Sequence, residues 1–168
     1  LTSVNGTLFF GADDGSADGF ELWKSDGTEG GTVLVKNINT NSGVSSAPDF
    51  VTSVNGTLFF AADDGVNGEE LWKSDGTAEG TVLVRDIDTR AGESSAPFFL
   101  TNVGGTLFFN AEEEINGNEL WKSDGTEAGT VMVKDIRPGI ENSDCVNFTA
   151  VNGTLFFSAD DGTNGSEL

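Results

Sequence analysis

The heptapeptide VNGTLFF occurs at Val4–Phe10, Val54–Phe60 and Val151–Phe157, with a near copy, VGGTLFF, at Val103–Phe109. The octapeptide ELWKSDGT stands unchanged at Glu21–Thr28, Glu70–Thr77 and Glu119–Thr126, and its first two residues appear again as Glu167 and Leu168. Copies are 48 to 50 residues apart. Self-similarity at that period signals a repeat architecture, in which each unit buries its apolar surface against the next instead of around one central core. The 168 residues hold about 3.4 units, approximately 1–47, 48–96, 97–144 and 145–168, and read as a single array.

Each unit carries four short strand-like runs separated by turn chemistry. In chain order these are the stretch after the proline (Asp49–Val54, Phe98–Val103), GTLFF with the residues after it, ELWKS, and TVLVK (Thr32–Ile38, Thr81–Ile87, and TVMVK in Thr130–Ile136). Asn-Gly and Asp-Gly pairs between the runs supply the positive φ that tight hairpins require. Strict alternation puts Leu58 and Phe60 on one face and Phe59 on the other, so both faces must be dry. TVLVK repeats this with Val82 and Val84 opposite Leu83. A meander with one wet face would alternate apolar and polar residues. The expected fold is therefore all-β: a β-propeller-like array of four-stranded antiparallel blades, partial or completed by association of copies. Trp23, Trp72 and Trp121, one per unit, are expected to wedge between blades.

With 8 Lys plus Arg against 28 Asp plus Glu the formal charge is −20. Phosphate binding needs clustered cations, so a nucleic-acid partner is excluded, and the same sign argues against an anionic membrane surface. Nor is there an apolar run of about 18 residues to span a bilayer. The absence of His removes Ser-His-Asp and Cys-His catalysis, and the lone Cys145 rules out an intramolecular disulfide framework. Starting at Leu1 without an initiator Met or a leader, the chain reads as an excerpt or a processed product.

ELWKSDGT followed by GTVLVKNI, GTVLVRDI or GTVMVKDI resembles the ELWxxDGT repeat, found in tandem in large, mostly secreted bacterial proteins. The resemblance covers essentially the whole chain and implies an extracellular or cell-surface setting, with no established catalytic residues. The layout is also similar to a kelch blade. It departs from kelch where the Gly-Gly doublet is replaced by Gly11-Ala12, Ala61-Ala62, Asn110-Ala111 and Ser158-Ala159, and in carrying its Trp on the third strand.

The candidate chemistry lies in the acidic loop between the second and third runs. Its copies offer Asp13, Asp14, Asp18 and Glu21; Asp63, Asp64, Asn67 and Glu70; Glu112, Glu113, Asn116 and Glu119; and Asp160, Asp161, Asn164 and Glu167. Paired carboxylates, a side-chain amide oxygen and a closing Glu form the hard-oxygen set that calcium prefers, though the spacing is not that of an EF-hand. The alternative is a solvated acidic hairpin tip in which Asp-Gly and Asn-Gly simply make the turn. SDGT reads as a capped scaffold turn, and Lys24, Lys73 and Lys122 as partners of neighbouring acids. The fourth-to-first connections Asn39–Ser46, Asp88–Ser95 and Arg137–Asp144 differ in every unit, as do the first strands, where Asp49-Phe50 becomes Phe98-Phe99 and then Val146-Asn147. Drift in tolerant loops accounts for such differences, and binding surfaces are also commonly varied in this way on a fixed scaffold. Cys145 replaces Pro48 and Pro97, either as a neutral change or as a free or linking thiol. The sequons at Asn5, Asn55, Asn147, Asn152 and Asn164 carry little weight, since at Asn5, Asn55 and Asn152 the Asn-Gly-Thr is demanded by the turn.

The expected function is a non-catalytic structural or adhesive module, possible calcium stabilisation included. The alternative is a propeller binding a surface glycan, a protein or further copies of the array through its variable loops. A hydrolase would need one asymmetric acid pair facing across a cleft, which repeated adjacent acids do not supply.

Overall fold

A computed structural model describes all residues, Leu1–Leu168, as an all-β protein without helices. Strands β1 (Thr2–Val4), β2 (Thr7–Ala12), β3 (Glu21–Ser25) and β4 (Val33–Lys36) form the first sheet. The second holds β5 (Asp49–Val54), β6 (Thr57–Asp63), β7 (Glu69–Ser74) and β8 (Val82–Arg85), and the third holds β9 (Phe98–Val103), β10 (Thr106–Glu113), β11 (Gly117–Ser123) and β12 (Val131–Lys134). The fourth has three strands, β13 (Val146–Val151), β14 (Thr154–Asp160) and β15 (Ser166–Glu167). Every sheet is an antiparallel meander in chain order, so each expected run became a strand beside its sequence neighbour.

Turn chemistry fixes the first hairpin of each sheet. Asn5-Gly6, Asn55-Gly56 and Asn152-Gly153 have φ near 51° at Asn and 79° to 83° at Gly, and Gly104-Gly105 takes 60° and 92°. Two successive left-handed residues are what a two-residue type I′ turn needs, and they match the strand twist.

Successive sheets pack through two separate cores. Val4, Phe9, Leu22, Val35 and Ile38 of the first sheet and the connection after it meet Leu58, Phe60, Ala62 and Trp72 of the second. The opposite face of the second sheet, with Val54, Phe59, Leu71 and Val84, then meets Leu107, Phe109, Ala111 and Trp121 of the third. Leu58 and Phe60 thus face backward and Phe59 forward, as alternation along GTLFF requires. Val84 and Leu83 divide in the same way, Leu83 packing on the first core. The first strands lie side by side, β5 touching both β1 and β9, and β9 also touching β13.

Polar ties cross the same interfaces at the same repeat positions. Lys24 Nζ donates to the Gly76 carbonyl and Lys73 Nζ to the Gly125 carbonyl, each at 2.7 Å. Lys36 Nζ reaches Thr81 O at 2.7 Å and an Arg85 guanidinium nitrogen reaches Thr130 O at 2.6 Å. The Lys24 and Lys73 ammonium groups therefore hold the carbonyls of the next sheet's SDGT turn, where the sequence suggested carboxylate partners.

Candidate functional site

The first strands of the second, third and fourth sheets each contain a bulge next to their sheet neighbour. Asp49 pairs with Ala61 and Thr52 with Phe59, so Phe50 and Val51 oppose Phe60 alone. Phe99 and Leu100 do the same against Phe109, and Asn147 and Phe148 against Phe157. The leading bulge residue is left-handed every time, with φ 53° at Phe50, 57° at Phe99 and 61° at Asn147. Glycine is the residue suited to that conformation, and a Cβ-bearing residue held there costs on the order of 1–3 kcal/mol. Thr52, Thr101 and Thr149 brace the bulges, donating their hydroxyls to the carbonyls of Phe50, Phe99 and Asn147. Thr52 Oγ1 also lies 3.0 Å from Leu100 O on the next sheet.

The bulges line a concave surface of about 820 Å³, bordered by Leu1, Asp49, Phe50, Thr52, Phe99, Thr101, Asn147 and Phe148. Phe50 and Phe99 stay 42% and 41% exposed, large for aromatic rings on a strand. Phe98, Phe99, Phe148 and Phe157 form a tilted chain of rings with successive centroids 4.9, 5.8 and 5.9 Å apart. The first-strand positions that differ between units thus converge on one face.

The acidic loops are organised by their own backbone. Asp63 accepts from Gly65 N at 2.6 Å, and Asp64 accepts from Val66 N, Asn67 N and Asn67 Nδ2 at 2.8 to 2.9 Å. Asp160, Asp161 and Asn164 repeat this set. In the first unit Asp13 accepts from Gly15 N, Asp14 from Ser16 N, and Asp18 from Asn37 Nδ2 at 2.6 Å. In the third, Glu113 takes the Asn116 amide and Glu112 is exposed. Hydrogen bonds from Ser16 and Asn164, respectively, hold the Asp14 and Asp161 carboxyls below their ordinary range.

The closing Glu stands apart from these pairs. Ala62 pairs with Glu70 and Asp63 with Glu69, which puts Asp63 and Glu70 on opposite faces of the sheet. Burial, then the charges of Asp49 and Asp63, pushes the Glu69 carboxyl up. Glu21, Glu70 and Glu119 are fully buried. Glu70 accepts from Ile87 N at 3.0 Å, Asp88 N at 3.4 Å, Ser95 N at 3.0 Å and Ser95 Oγ at 2.6 Å. Glu21 takes Ile38 N, Ser46 N and Ser46 Oγ, and Glu119 takes Ile136 N and Arg137 N. Burial drives the Glu70 carboxyl to about 7 and raises that of Glu119, against the lowering effect of these donors. Glu167, on the two-residue β15, is exposed.

The loop acids are not gathered into one cluster in this structure. Most of the loop carboxylates accept from amides of their own turns, the closing Glu of each set lies across the sheet from the first acid, and no three acidic side chains converge as metal ligands.

The variable connections are only partly free. Their ends are buried: Asn39 and Ser46, Asp88 and Ser95, and Ser143. Ser46, Ser95 and Ser143 each accept from the second strand of the following sheet, at Asp63 N, Glu112 N and Asp160 N. Ser46 and Ser95 also bind the buried Glu of the sheet before, so they bridge two units.

SDGT is a lock in all three copies. Asp26, Asp75 and Asp124 each accept from the backbone N and hydroxyl of the Thr two residues on, which then accepts from Gly31, Gly80 or Gly129 N. Cys145 is buried beside Ser143, and burial pushes its thiol up to about 11, so it is neither exposed for linkage nor readily ionised. Comparison with family models, curated proteins and solved structures finds no match for the chain.

Proposed function

We propose that this chain is a non-catalytic repeat module of a secreted or cell-surface protein, built on a propeller-like plan, that serves as a rigid scaffold for adhesion. The observation that carries this reading is the recurrence of one interface: the same cations, turn carbonyls, buried Glu and apolar residues couple sheet one to two and sheet two to three. Repetition of the supports distributes the acids evenly, and it gives no single acid pair the asymmetry that hydrolysis requires. The ELWxxDGT resemblance is the support for the extracellular setting.

A second reading, favoured by the left-handed Phe50 and Phe99, makes the concave inner face the contact surface for a glycan or protein. Strain held on a rigid support is a common mark of a functional site. Glycan and peptide arrays probed with the native chain and with Phe50→Gly/Phe99→Gly test both readings. The expected result is a ligand held by the native chain and lost by the variant, whose melting midpoint stays equal or rises because glycine relieves the φ strain. Retention of the ligand by the variant contradicts the inner-face reading. Release of cleaved product from a bound polysaccharide contradicts the non-catalytic one.

A further inference from the structure

One place in the junction between sheets changes its chemistry from unit to unit. Leu22, Leu71 and Leu120 lie on the face that each of the first three sheets turns to the next. Gly11 pairs with Leu22, Ala61 with Leu71 and Asn110 with Leu120, so these partners share that face. Glu69 and Asn118 share it too, two residues before Leu71 and Leu120 on the same strands. In the first sheet the equivalent Phe20 lays its ring over Gly11, where a Cβ would collide with it. The residue just ahead of the next sheet is Pro48, Pro97 or Cys145. The three junctions therefore carry Gly11, Phe20 and Pro48, then Ala61, Glu69 and Pro97, then Asn110, Asn118 and Cys145.

In the third junction the polar atoms do not balance. Asn110 and Cys145 are fully buried. The side-chain oxygens of Asn110 and Asn118 are both buried without a hydrogen-bond donor. Neighbouring donors are spent elsewhere. Asn110 Nδ2 donates to the Cys145 carbonyl, and Asn118 N to Asn142 Oδ1 at 2.9 Å. Ser143 N and Ser143 Oγ both donate to the Asn118 carbonyl, at 3.1 and 3.2 Å. With that hydroxyl proton spent, the 3.2 Å contact between Ser143 Oγ and Cys145 Sγ is made by the thiol proton, which burial keeps on sulfur. Buried acceptors are matched by a protein donor or by an ordered water, and here the chain supplies two acceptors and no free donor.

We propose that the third junction is built around one buried water molecule, which donates one hydrogen to Asn110 Oδ1 and the other to Asn118 Oδ1. The two residues are diagonal neighbours across β10 and β11, so their backbones stand roughly 7–8 Å apart, a span that two amide side chains and one water close. Water supplies two hydrogens and no charge, which is what two neutral amide oxygens require. The first junction fills the same place with the Phe20 ring.

The test is a crystal structure of the native chain beside that of Asn110→Ala, which installs the residue that the second sheet carries there. The native chain is expected to show one ordered peak within about 3.2 Å of both oxygens, and Asn110→Ala to lack it. A rubidium soak separates water from a monovalent cation. Thermal unfolding adds a readout that needs no crystal. Asn118→Ala is expected to lower the midpoint by about 2–4 °C in the native background and by less than half as much in Asn110→Ala, because both amides act through one bridge. A site without a peak, a direct hydrogen bond between the two amides, a peak that rubidium replaces, or equal shifts in both backgrounds each overturns the proposal.

Discussion

The Lys36 ammonium lies 5.9 Å from the centre of the Trp72 ring on the following sheet while donating to the Thr81 carbonyl at 2.7 Å. One side chain thereby closes an apolar core and pins a turn-flanking backbone group of the next unit. Arg85 repeats the arrangement 5.6 Å from the Trp121 ring. Removing the indole with Trp72→Ala should cost about 3–5 kcal/mol in urea unfolding, whereas Lys36→Met should cost about 1 kcal/mol. Trp23, half-buried with no sheet behind it, should be the mildest of the three on truncation. Equal costs at Trp23 and Trp72 would mean that the indoles do not act between sheets.

Gly80 is fixed by space. A Cβ at that residue would stand 2.1 Å from Asp75 Oδ1, the atom that locks the SDGT turn. Gly80→Ala should destabilise by roughly 1–3 kcal/mol, because either the methyl or the carboxylate must move. In an Asp75→Ala background the same change should cost markedly less. A double-mutant cycle of unfolding free energies reads the coupling directly.

Acidification should stabilise this protein before it destabilises it. The folded Glu70 carboxyl, near 7 against an ordinary 4.5, binds its proton more tightly in the folded chain. Its contribution is fully present below about pH 4.5 and is lost as pH rises through 7, up to roughly 3 kcal/mol. Asp88, held down by Arg90, behaves oppositely: its contribution is present above its ordinary 3.8 and disappears as pH falls through its lower folded value. Unfolding midpoints should therefore be higher near pH 5 than at pH 8 and fall again below about pH 4. Glu70→Gln should flatten the slope between pH 5 and 8, and an unchanged slope would assign it to general charge repulsion.

Calcium tests the acidic loops. Since Asp64 and Asp161 already accept from their own turns and Glu70 lies across the sheet, calcium and magnesium at equal ionic strength should raise the midpoint by the same small amount through screening. A calcium-selective rise reversed by chelator and lost in Asp63→Asn/Asp64→Asn would restore the loops as ligands.

Local signals were legible in the sequence because they act within a few residues. Asn55-Gly56 announces its turn, and alternation alone places Phe59 opposite Leu58 and Phe60. The roles of Glu70 and Ser95 were not legible, because their hydrogen bonds join residues 25 positions apart and an acid beside an acidic loop looks solvated. An available hint was that Glu70 precedes Leu-Trp without variation in every complete unit. The left-handed Phe50 and Phe99 were hidden too, since a bulge is a property of register between two strands. The structure also divides the variable connections, burying Ser46 and Ser95 as bridges and leaving only the middle of each segment exposed.

Native-state hydrogen exchange tests most directly whether successive sheets form one coupled scaffold. The amides of Ile38, Ser46, Ile87 and Ser95, all held by buried Glu carboxylates, should exchange as slowly as those in the middle of β6 and β10. They should do so through one shared opening that Glu70→Ala accelerates in the second and third sheets together. Fast, independent exchange at these connections, with only the strands protected, would contradict the account.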